Sequence, residues 1–334
     1  MDEPNRRVVL RERPTGSIND ETLAIEEVEL GPLEDGHVRI GVDYISIDAF
    51  IRTTLRDTGF HQTVEIGGVV GALGAGHVIE STVDELQPGD AVKGGMGAQS
   101  IVDVPAGMVE KADTAIAPIN AHLGALGLTT GMTAWCGVRN VGKPQPGDTM
   151  VVSAAAGAVG SIAGQIGKID GARVIGIAGG ERKCAYLTEE LGFDEAIDYK
   201  TEDVAARLKE LAPDGVNVFF DNVGGPILDA VLDNLAMQAR VVICGAISQY
   251  ERTGDVVGPS LYLRLAERQS RMEGFAVFHF PESYGQATQE LAAWLADGSL
   301  RMPEEIVDGI ERFPEALQMM FTGANLGKIL VKVR

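Results

Sequence analysis

The sequence has 334 residues, of which 45% are hydrophobic, and its 28 basic and 48 acidic residues give a formal net charge of −20. This length predicts two domains with sizeable cores, and the negative charge argues against a nucleic acid or an anionic membrane as a partner. Cys136, Cys184 and Cys244 are too few and too widely spaced for a disulfide framework or a Cys-x-x-Cys zinc site, and they fit a reducing compartment.

The chain shows no targeting or membrane signal. It begins with MDEPNRR, which lacks the apolar core of a signal peptide. No segment reaches the ~18 to 20 apolar residues of a membrane span. We therefore expect a cytoplasmic protein with no membrane partner.

Short strands are predicted through residues 6–120, with turns such as Gly31-Pro32 and Pro88-Gly89-Asp90 between them. Many short strands closed by glycine and proline turns predict a small barrel. The clearest strands are Arg6–Glu12, Leu23–Glu29 and His37–Ser46.

From Leu123 helices and strands alternate, which predicts a parallel sheet with helices on its faces. The tail from Glu304 returns to strand, helix and strand, so that the sheet domain would be inserted between two parts of the barrel. The predicted strands are Thr149–Ser153, Arg173–Ile177, Glu195–Tyr199, Val216–Asp221, Arg240–Cys244 and Ile329–Val333. The predicted helices are Leu123–Gly137, Ser161–Ile169, Glu181–Leu191, Val204–Leu211, Pro226–Leu235 and one from Pro281 to Asp297.

A small-residue turn, AAAGAVG at residues 154–160, joins the first strand of this sheet to a helix and a second strand. Such a unit binds dinucleotides. Gly157 would let the backbone approach a pyrophosphate, Gly160 would let the helix pack closely, and the unpaired N–H groups of the helix N-terminus would face the anion. Ala155 replaces the usual first glycine, so the alternative is a tight turn that only packs the helix on the sheet.

The end of the second strand indicates which cofactor is bound. Sites for the 2′-hydroxyl cofactor place an acid about 20 residues past the glycine turn, whereas this chain has Ala178-Gly179-Gly180 there. Lys183 can reach a 2′-phosphate, and Tyr199 can flank the adenine. The prediction is therefore NADPH rather than NADH, and the alternative for Lys183 is a solvated helix face.

The carboxyl ends of the later strands should face the nicotinamide. Asn222, in the run DNVGG, ends the fourth strand and is compatible with either cofactor binding or ordinary turn chemistry. The fifth strand is followed by Cys244, Gly245, Ala246, Ile247, Ser248, Gln249 and Tyr250, whose backbone groups can hold the carboxamide.

Across essentially its whole length the chain resembles the zinc-independent medium-chain dehydrogenase/reductase family. It is most similar to the prostaglandin reductase, plant 2-alkenal double-bond reductase and bacterial curcumin reductase group. The motifs that carry the resemblance are YISIDAFIR, EIGGVVGALGAGHVIES, AAAGAVGSIAGQIGK, GIAGGERKCAYLTEELGF, DNVGG, CGAISQY, RMEGF and NLGK. In this family the missing first glycine fits the variant AxxGxxG, here Ala154-Gly157-Gly160.

The resemblance implies a Rossmann doubly wound parallel sheet, residues 123–299, inserted into a GroES-like β-barrel domain, residues 1–122 and 300–334. It implies NADPH-dependent reduction of the C=C bond of α,β-unsaturated aldehydes and ketones. It also implies a homodimer, with a strand around Phe275 to Phe280 near the two-fold interface. The residues expected to line the cofactor are Gly157, Ala158, Val159, Gly160, Lys183, Tyr199, Asn222, Cys244, Gly245, Ala246, Ile247, Ser248, Tyr250, Phe275, Ala276, Val277 and Asn325.

Two departures from the family pattern concern the substrate site. Glu267 stands where several members carry a tyrosine proposed to stabilise the enolate. Tyr250 and Tyr262 are the candidate catalytic replacements, and for each a purely structural role remains open. The family motif DPYMR reads DAFIR at residues 48–52, which would reshape the substrate cleft.

Two other functions remain open, and no metal is expected. Gly76-His77-Val78 lacks the glutamate and the partner cysteine of a catalytic zinc site. Without zinc to polarise a carbonyl group, the oxidation of alcohols is disfavoured. One alternative is a quinone oxidoreductase of the same fold. The other is a non-catalytic NADPH-binding sensor or structural protein, which Glu267 alone supports.

Overall fold

The structure is a computed structural model that describes residues 4–19, 21–57, 61–251 and 257–334. Its chain divides into two compact units. The first extends to Gly124 and resumes at Glu304–Arg334, and the second is Ala125–Pro303. The sequence placed these boundaries after residues 122 and 299.

The first unit is built from nine strands and two α-helices within the described residues. Its strands are β1 (Asn5–Leu10), β2 (Leu23–Val28), β3 (His37–Ser46), β4 (Leu73–Ser81), β5 (Ala91–Gly95), β6 (Ile101–Pro105), β7 (Val109–Lys111), β14 (Glu304–Asp308) and β15 (Lys328–Lys332). Its helices are α1 (Ala49–Thr54) and α10 (Phe313–Thr322), with 3₁₀ turns at Ala106–Met108, Ile119–His122 and Ile310–Arg312.

The long strand β3 organises this unit. It pairs with β4 on one side, and on the other side β6 and β15 pair with its two halves. The resulting order is β14-β15-β3-β4-β5-β7, and β1 and β2 form a separate antiparallel pair. Alternate residues of β3, including Val38, Ile40 and Val42, are fully buried, so one face of the strand forms the core.

The second unit contains a six-stranded sheet whose pairings are all parallel. Its order is β10-β9-β8-β11-β12-β13, which is the 3-2-1-4-5-6 order of a doubly wound dinucleotide-binding sheet. The strands are β8 (Thr149–Ser153), β9 (Arg173–Ala178), β10 (Glu195–Asp198), β11 (Val216–Asp221), β12 (Leu235–Ile243) and β13 (Arg271–Gly274).

Helices follow the strands of this sheet. They are α2 (Thr133–Cys136), α3 (Ala158–Ile169), α4 (Glu181–Ala185), α5 (Val204–Leu211), α6 (Gly225–Leu232), α7 (Ile247–Tyr250), α8 (Arg264–Glu267) and α9 (Tyr284–Asp297). Segments of π-helix extend α2 on both sides, Leu128–Met132 and Gly137–Gly142, and extend α4 as Tyr186–Glu190. Single 3₁₀ turns lie at Val277–His279 and Pro281–Ser283.

Three helix predictions have wrong bounds, and the first is the helix expected at Ser161–Ile169, which begins at Ala158. The helix expected at Leu123–Gly137 begins instead at Leu128, and its π-helical continuation reaches Gly142. The helix expected at Pro226–Leu235 ends at Leu232, because Leu235 already pairs with Val216 as the first residue of β12.

A further correction concerns β12, which starts at Leu235 and not at Arg240. Gln238 has a φ of 58°, and this left-handed residue accompanies a register shift between β11 and β12. Gln238 interrupts the apolar run of this strand, so the sequence pattern indicates only its second half, from Arg240.

The predicted fold class, a Rossmann doubly wound sheet with a separate GroES-like sheet domain, is confirmed. The neighbours β8 and β11 mark the point where the strand order reverses, and ligands of such sheets bind at the carboxyl ends of these strands. In the described parts of the chain, no helix combines the length and the apolar character needed to cross a membrane.

Candidate cofactor site

The turn between β8 and α3 has the geometry of a pyrophosphate cradle. The first hydrogen bond of α3 joins Ser161 N–H to Gly157 O at 3.0 Å, so the preceding helical N–H groups have no carbonyl within the helix to bond. A Cβ at Gly160 would lie 2.4 Å from Ala154 O, so only glycine permits this close approach. Ala154, the first residue of the AxxGxxG variant, has a φ of 47°, the left-handed region that favours glycine.

At the carboxyl end of β9, two side chains pass over a glycine. A Cβ at Gly179 would lie 2.9 Å from the ring of Tyr199 and 2.9 Å from Lys200 Cε, so both side chains pass directly over this glycine. Asp198 Oδ1 accepts the N–H of Gly180 at 2.8 Å and fixes the turn. The partly buried Lys183 follows in the first turn of α4. The residues present therefore fit an adenosine with a 2′-phosphate.

The carboxyl end of β11 joins that of β8 through side chains. Asp221 Oδ1 accepts the hydroxyl of Ser153 at 2.7 Å and the N–H of Val223 at 2.9 Å. Ser153 in turn accepts the N–H of Asn222 at 2.8 Å, and its carbonyl accepts Asn222 Nδ2 at 2.8 Å. Burial raises the pKa of Asp221, which is fully buried.

The loop after β12 is hydrogen-bonded to the turn after β11. The N–H groups of Cys244 and Ile247 donate to Asp221 O at 2.9 Å and to Asn222 O at 3.1 Å. Ser248 Oγ donates to Val223 O at 2.6 Å. Burial raises the pKa of the Cys244 thiol to about 12, so the thiol is neutral at physiological pH. The two strand-end turns therefore form one hydrogen-bonded structure.

The two candidate tyrosines lie in different surroundings. Tyr250 is partly buried, and its hydroxyl oxygen accepts the N–H of Ala246 at 3.1 Å, which leaves the hydroxyl proton for another acceptor. Burial raises the pKa of Tyr250, which keeps this proton in place. Tyr262 is 57% exposed, and Glu267 is ion-paired with Arg264 at 2.6 Å.

The segment that follows β13 differs from the expectation. Phe275 to Phe280 is not a strand, because β13 ends at Gly274 and Val277–His279 forms one 3₁₀ turn. The Phe275 ring packs on Phe220 at 6.4 Å between centroids, and Val277 is buried. Ala276 N–H donates to His279 Nδ1 at 3.2 Å, which holds the turn beside the end of β12.

Two expected substrate and cofactor elements belong to the first unit. Asn325 is buried in the turn before β15 and donates from Nδ2 to Gly327 O at 3.0 Å. Asp48, in the run DAFIR, accepts Lys328 Nζ at 2.8 Å, and both residues are almost fully buried. Phe50 stacks near His61, with 5.5 Å between ring centroids.

No group of three His, Cys, Asp or Glu side chains within the described ranges is arranged to hold a metal ion. Sequence reasoning missed Ser153, Asp221 and Lys200. The first two are 68 positions apart and look like ordinary strand ends, and only the 3-2-1-4-5-6 strand order, had it been assumed, would have placed them together.

Two family models match the chain. The model described as the N-terminal domain of oxidoreductase matches residues 6–112, and the one described as zinc-binding dehydrogenase matches residues 158–293.

Three characterised or named relatives align over nearly their whole lengths. YfmJ of Bacillus subtilis is 42% identical over 100% of this chain and 99% of its own. The NADPH-dependent curcumin reductase of Escherichia coli is 36% identical, over 98% of this chain and 97% of its own. The NADP⁺-dependent 2-alkenal reductase of Nicotiana tabacum is 35% identical over the same shares, 98% and 97%.

The crystal structure of CurA from Vibrio vulnificus in complex with NADPH superimposes on the chain with a TM-score of 0.92. It is 34% identical and covers 98% of this chain and 99% of its own.

Proposed function

The chain belongs to the zinc-independent medium-chain dehydrogenase/reductase family, and we propose that it reduces the C=C bond of α,β-unsaturated aldehydes and ketones. It is an NADPH-dependent oxidoreductase of the curcumin, 2-alkenal and prostaglandin reductase type. The family and the cofactor predicted from the motifs are thus confirmed.

The cofactor is proposed to lie along the carboxyl edge of the parallel sheet. The N–H groups at the start of α3, from Ala158 to Gly160, would bind its pyrophosphate. Lys183 would bind the 2′-phosphate, and Tyr199 would cover the adenine over Gly179. Asn222, the loop Cys244–Tyr250 and the turn Phe275–Val277 would hold the nicotinamide half. The assignment of Asn325 to the cofactor remains a prediction.

The observation that carries the C=C reduction is the Tyr250 hydroxyl. When bound, the cofactor supplies a hydride for the β-carbon of the substrate, and solvent or a side chain supplies the proton that completes the reduction at the α-carbon. The carbonyl oxygen then becomes negative and needs a hydrogen-bond donor already in position. Tyr250 offers a hydroxyl whose oxygen is held by Ala246 N–H and whose proton is unused in that bond. Tyr262 is the second candidate, and its exposure makes it the weaker donor because water competes for the same oxygen.

The experiment is a steady-state assay of NADPH oxidation with an enone, 3-nonen-2-one, an enal, 2-nonenal, and a panel of quinones. We expect turnover of the enone and the enal, and the Tyr250→Phe variant should lower kcat by about 100-fold. Tyr262→Phe is the matched control and should retain most of the activity. Turnover of quinones alone would favour the quinone oxidoreductase alternative, and NADPH binding without turnover would favour the sensor.

We also propose that two copies form a homodimer. The edge strand β13 has exposed residues throughout and would leave backbone groups unpaired on its outer side. Phe278, in the following turn, is 67% exposed. Light scattering coupled to size-exclusion chromatography should give twice the mass of one chain, and a monomer at all concentrations would contradict the proposal.

A cytoplasmic location remains part of the proposal. Its support is that Cys136, Cys184 and Cys244 are all free thiols, as expected in a reducing compartment.

A further inference from the structure

The carboxyl edge of the sheet contains a buried carboxyl group that no cation accompanies. Asp221 and Ser153 are both fully buried. The donors to Asp221 are neutral: the Ser153 hydroxyl at 2.7 Å and the N–H groups of Val223, at 2.9 Å, and Gly224, at 3.1 Å. Within the described residues no lysine, arginine or histidine forms an ion pair with this carboxyl group.

The pair determines the backbone of the turn after β11. Because Asp221 accepts two successive N–H groups, the chain must reverse at once, and Gly224 and Gly225 adopt φ values of 69° and 59°. Ser153 fixes the same turn from the other side through the N–H of Asn222. The Asn222 side chain is thereby held against the end of β8.

The position of Tyr250 follows from this turn. The carbonyls of Asp221, Asn222 and Val223 accept hydrogen bonds from the loop after β12. That loop ends in α7, and the Tyr250 hydroxyl returns to the N–H of Ala246 within it. A change at Ser153 or Asp221 would therefore be transmitted through backbone hydrogen bonds to the hydroxyl of Tyr250.

We propose that Ser153 and Asp221 are a positioning pair, which sets Asn222 and Tyr250 in the arrangement that binds the nicotinamide half of NADPH and orients the enone carbonyl. This inference rests on the proposed function. Neither residue is proposed to touch the cofactor or the substrate. They act by holding the two strand-end turns together.

Stability alone does not explain the pair. A buried carboxyl group with only neutral donors is expensive, and replacement of such polar groups by apolar ones is often neutral or stabilising. Burial raises the pKa of Asp221, which reflects this cost. The pair lies between β8 and β11, where the strand order reverses and where ligands of such sheets bind. Its hydrogen bonds connect the two loops that would surround the nicotinamide.

The variants are Ser153→Ala, which removes one hydroxyl, and Asp221→Asn, which keeps the shape and removes the charge. The controls are matched residues at the opposite, amino edge of the same sheet. Ser270 accepts the N–H of Ala239 at 3.0 Å, and Asp148 accepts the N–H of Gln145 at 2.9 Å. Ser270→Ala therefore removes the same kind of hydroxyl away from the proposed site, and Asp148→Asn removes a carboxylate that also pairs with Arg240.

Two ligands distinguish binding at the nicotinamide half of the site from binding at the adenosine half. Titration calorimetry would measure the dissociation constants of NADPH and of 2′,5′-ADP, which contains the adenosine half without the nicotinamide. Ser153→Ala should weaken NADPH binding about tenfold and change 2′,5′-ADP binding by less than about twofold. The same variant should lower kcat for 3-nonen-2-one, and Ser153→Thr, which restores a hydroxyl, should recover part of the loss.

Equal weakening of both ligands, or equal effects from Ser270→Ala and Ser153→Ala, would overturn the inference, because a merely structural role predicts both results. If Asp221→Asn fails to fold, as judged by circular dichroism, Ser153→Ala alone decides the question. The binding measurements need no C=C substrate. A wild-type protein that binds NADPH but reduces no enone would therefore contradict the proposed function, while the ratio of the two ligands would still test the pair.

Discussion

The two edges of the parallel sheet use carboxyl groups in opposite ways. At the amino edge Asp148, which precedes β8, forms an ion pair with Arg240 of β12. At the carboxyl edge Asp221, which ends β11, is satisfied by a hydroxyl and by backbone N–H groups. Both carboxyl groups also accept a backbone N–H in a turn, so the difference between the edges is the cation that accompanies Asp148 and is absent around Asp221 within the described residues. The comparison favours a role in stability for the amino edge and is in line with the proposed role of the carboxyl edge in ligand geometry.

The largest expected effect is at the carboxyl edge, at Gly160. A Cβ there would lie 2.4 Å from Ala154 O, so Gly160→Ala must displace the turn or the start of α3. We expect the dissociation constant of NADPH to rise by about 100-fold or more. The control is Gly285→Ala in α9, where a Cβ would meet nothing within 4 Å. Wild-type affinity in Gly160→Ala would show that this turn does not bind the pyrophosphate.

A smaller and more selective effect is expected from Lys183→Ala. Loss of a charge-assisted hydrogen bond to a phosphate costs about 1.5 to 3 kcal/mol, or roughly 10- to 100-fold in affinity. The Michaelis constant for NADPH should rise by this factor, while that for NADH should change little. Lys168→Ala, which removes a cation paired with Asp194 at 2.7 Å, is the control. Equal effects on the two cofactors would show that Lys183 does not contact the 2′-phosphate.

The amino edge should respond in stability and not in binding. Arg240→Met removes the partner of Asp148 and leaves a half-buried carboxylate, which should lower the free energy of unfolding by about 1 to 3 kcal/mol. Thermal denaturation should show a decrease of a few degrees, and the NADPH dissociation constant should be unchanged. A loss of NADPH affinity without a loss of stability would break the contrast between the two edges.

The smallest effect concerns the pH dependence of stability. Burial raises the pKa of Asp221 in the folded protein, so the protonated form is favoured by folding. The contribution of Asp221 to the free energy of unfolding is complete below its pKa in the unfolded chain, about 4. This contribution is lost as the pH rises through the pKa of Asp221 in the folded protein. Asp221→Asn removes this titration. The melting temperature of the variant relative to wild type should therefore rise between acidic and neutral pH, and a constant difference would contradict the assigned pKa direction.

The sequence predicted the parts of this structure that depend on local pattern. The run from Thr149 to Ala178 specifies strand, turn, helix and strand because its glycine spacing and apolar runs act over a few residues. Even there, the left-handed φ of 47° at Ala154 could not be predicted from the sequence. Local pattern also located most helices and the inserted order of the two units.

The sequence could not supply contacts between distant residues. Ser153 and Asp221 meet only because β8 and β11 are neighbouring strands, and no sequence feature near either residue indicates this contact. The predicted start of β12 was wrong because Gln238 interrupts the apolar pattern of the strand, and its left-handed backbone cannot be recognised from the sequence. The strand expected at Phe275 to Phe280 was wrong because the apolar residues there pack as a turn beside the end of β12.

We propose that this protein adds a hydride from NADPH to the β-carbon of an enone. The most direct measurement is mass spectrometry of the product formed from 3-nonen-2-one with NADPH deuterated at the transferred position. Hydride transfer to the β-carbon would give nonan-2-one with one deuterium at its carbon 4. An unsaturated alcohol with deuterium on the carbonyl carbon, or no deuterated product at all, would contradict it.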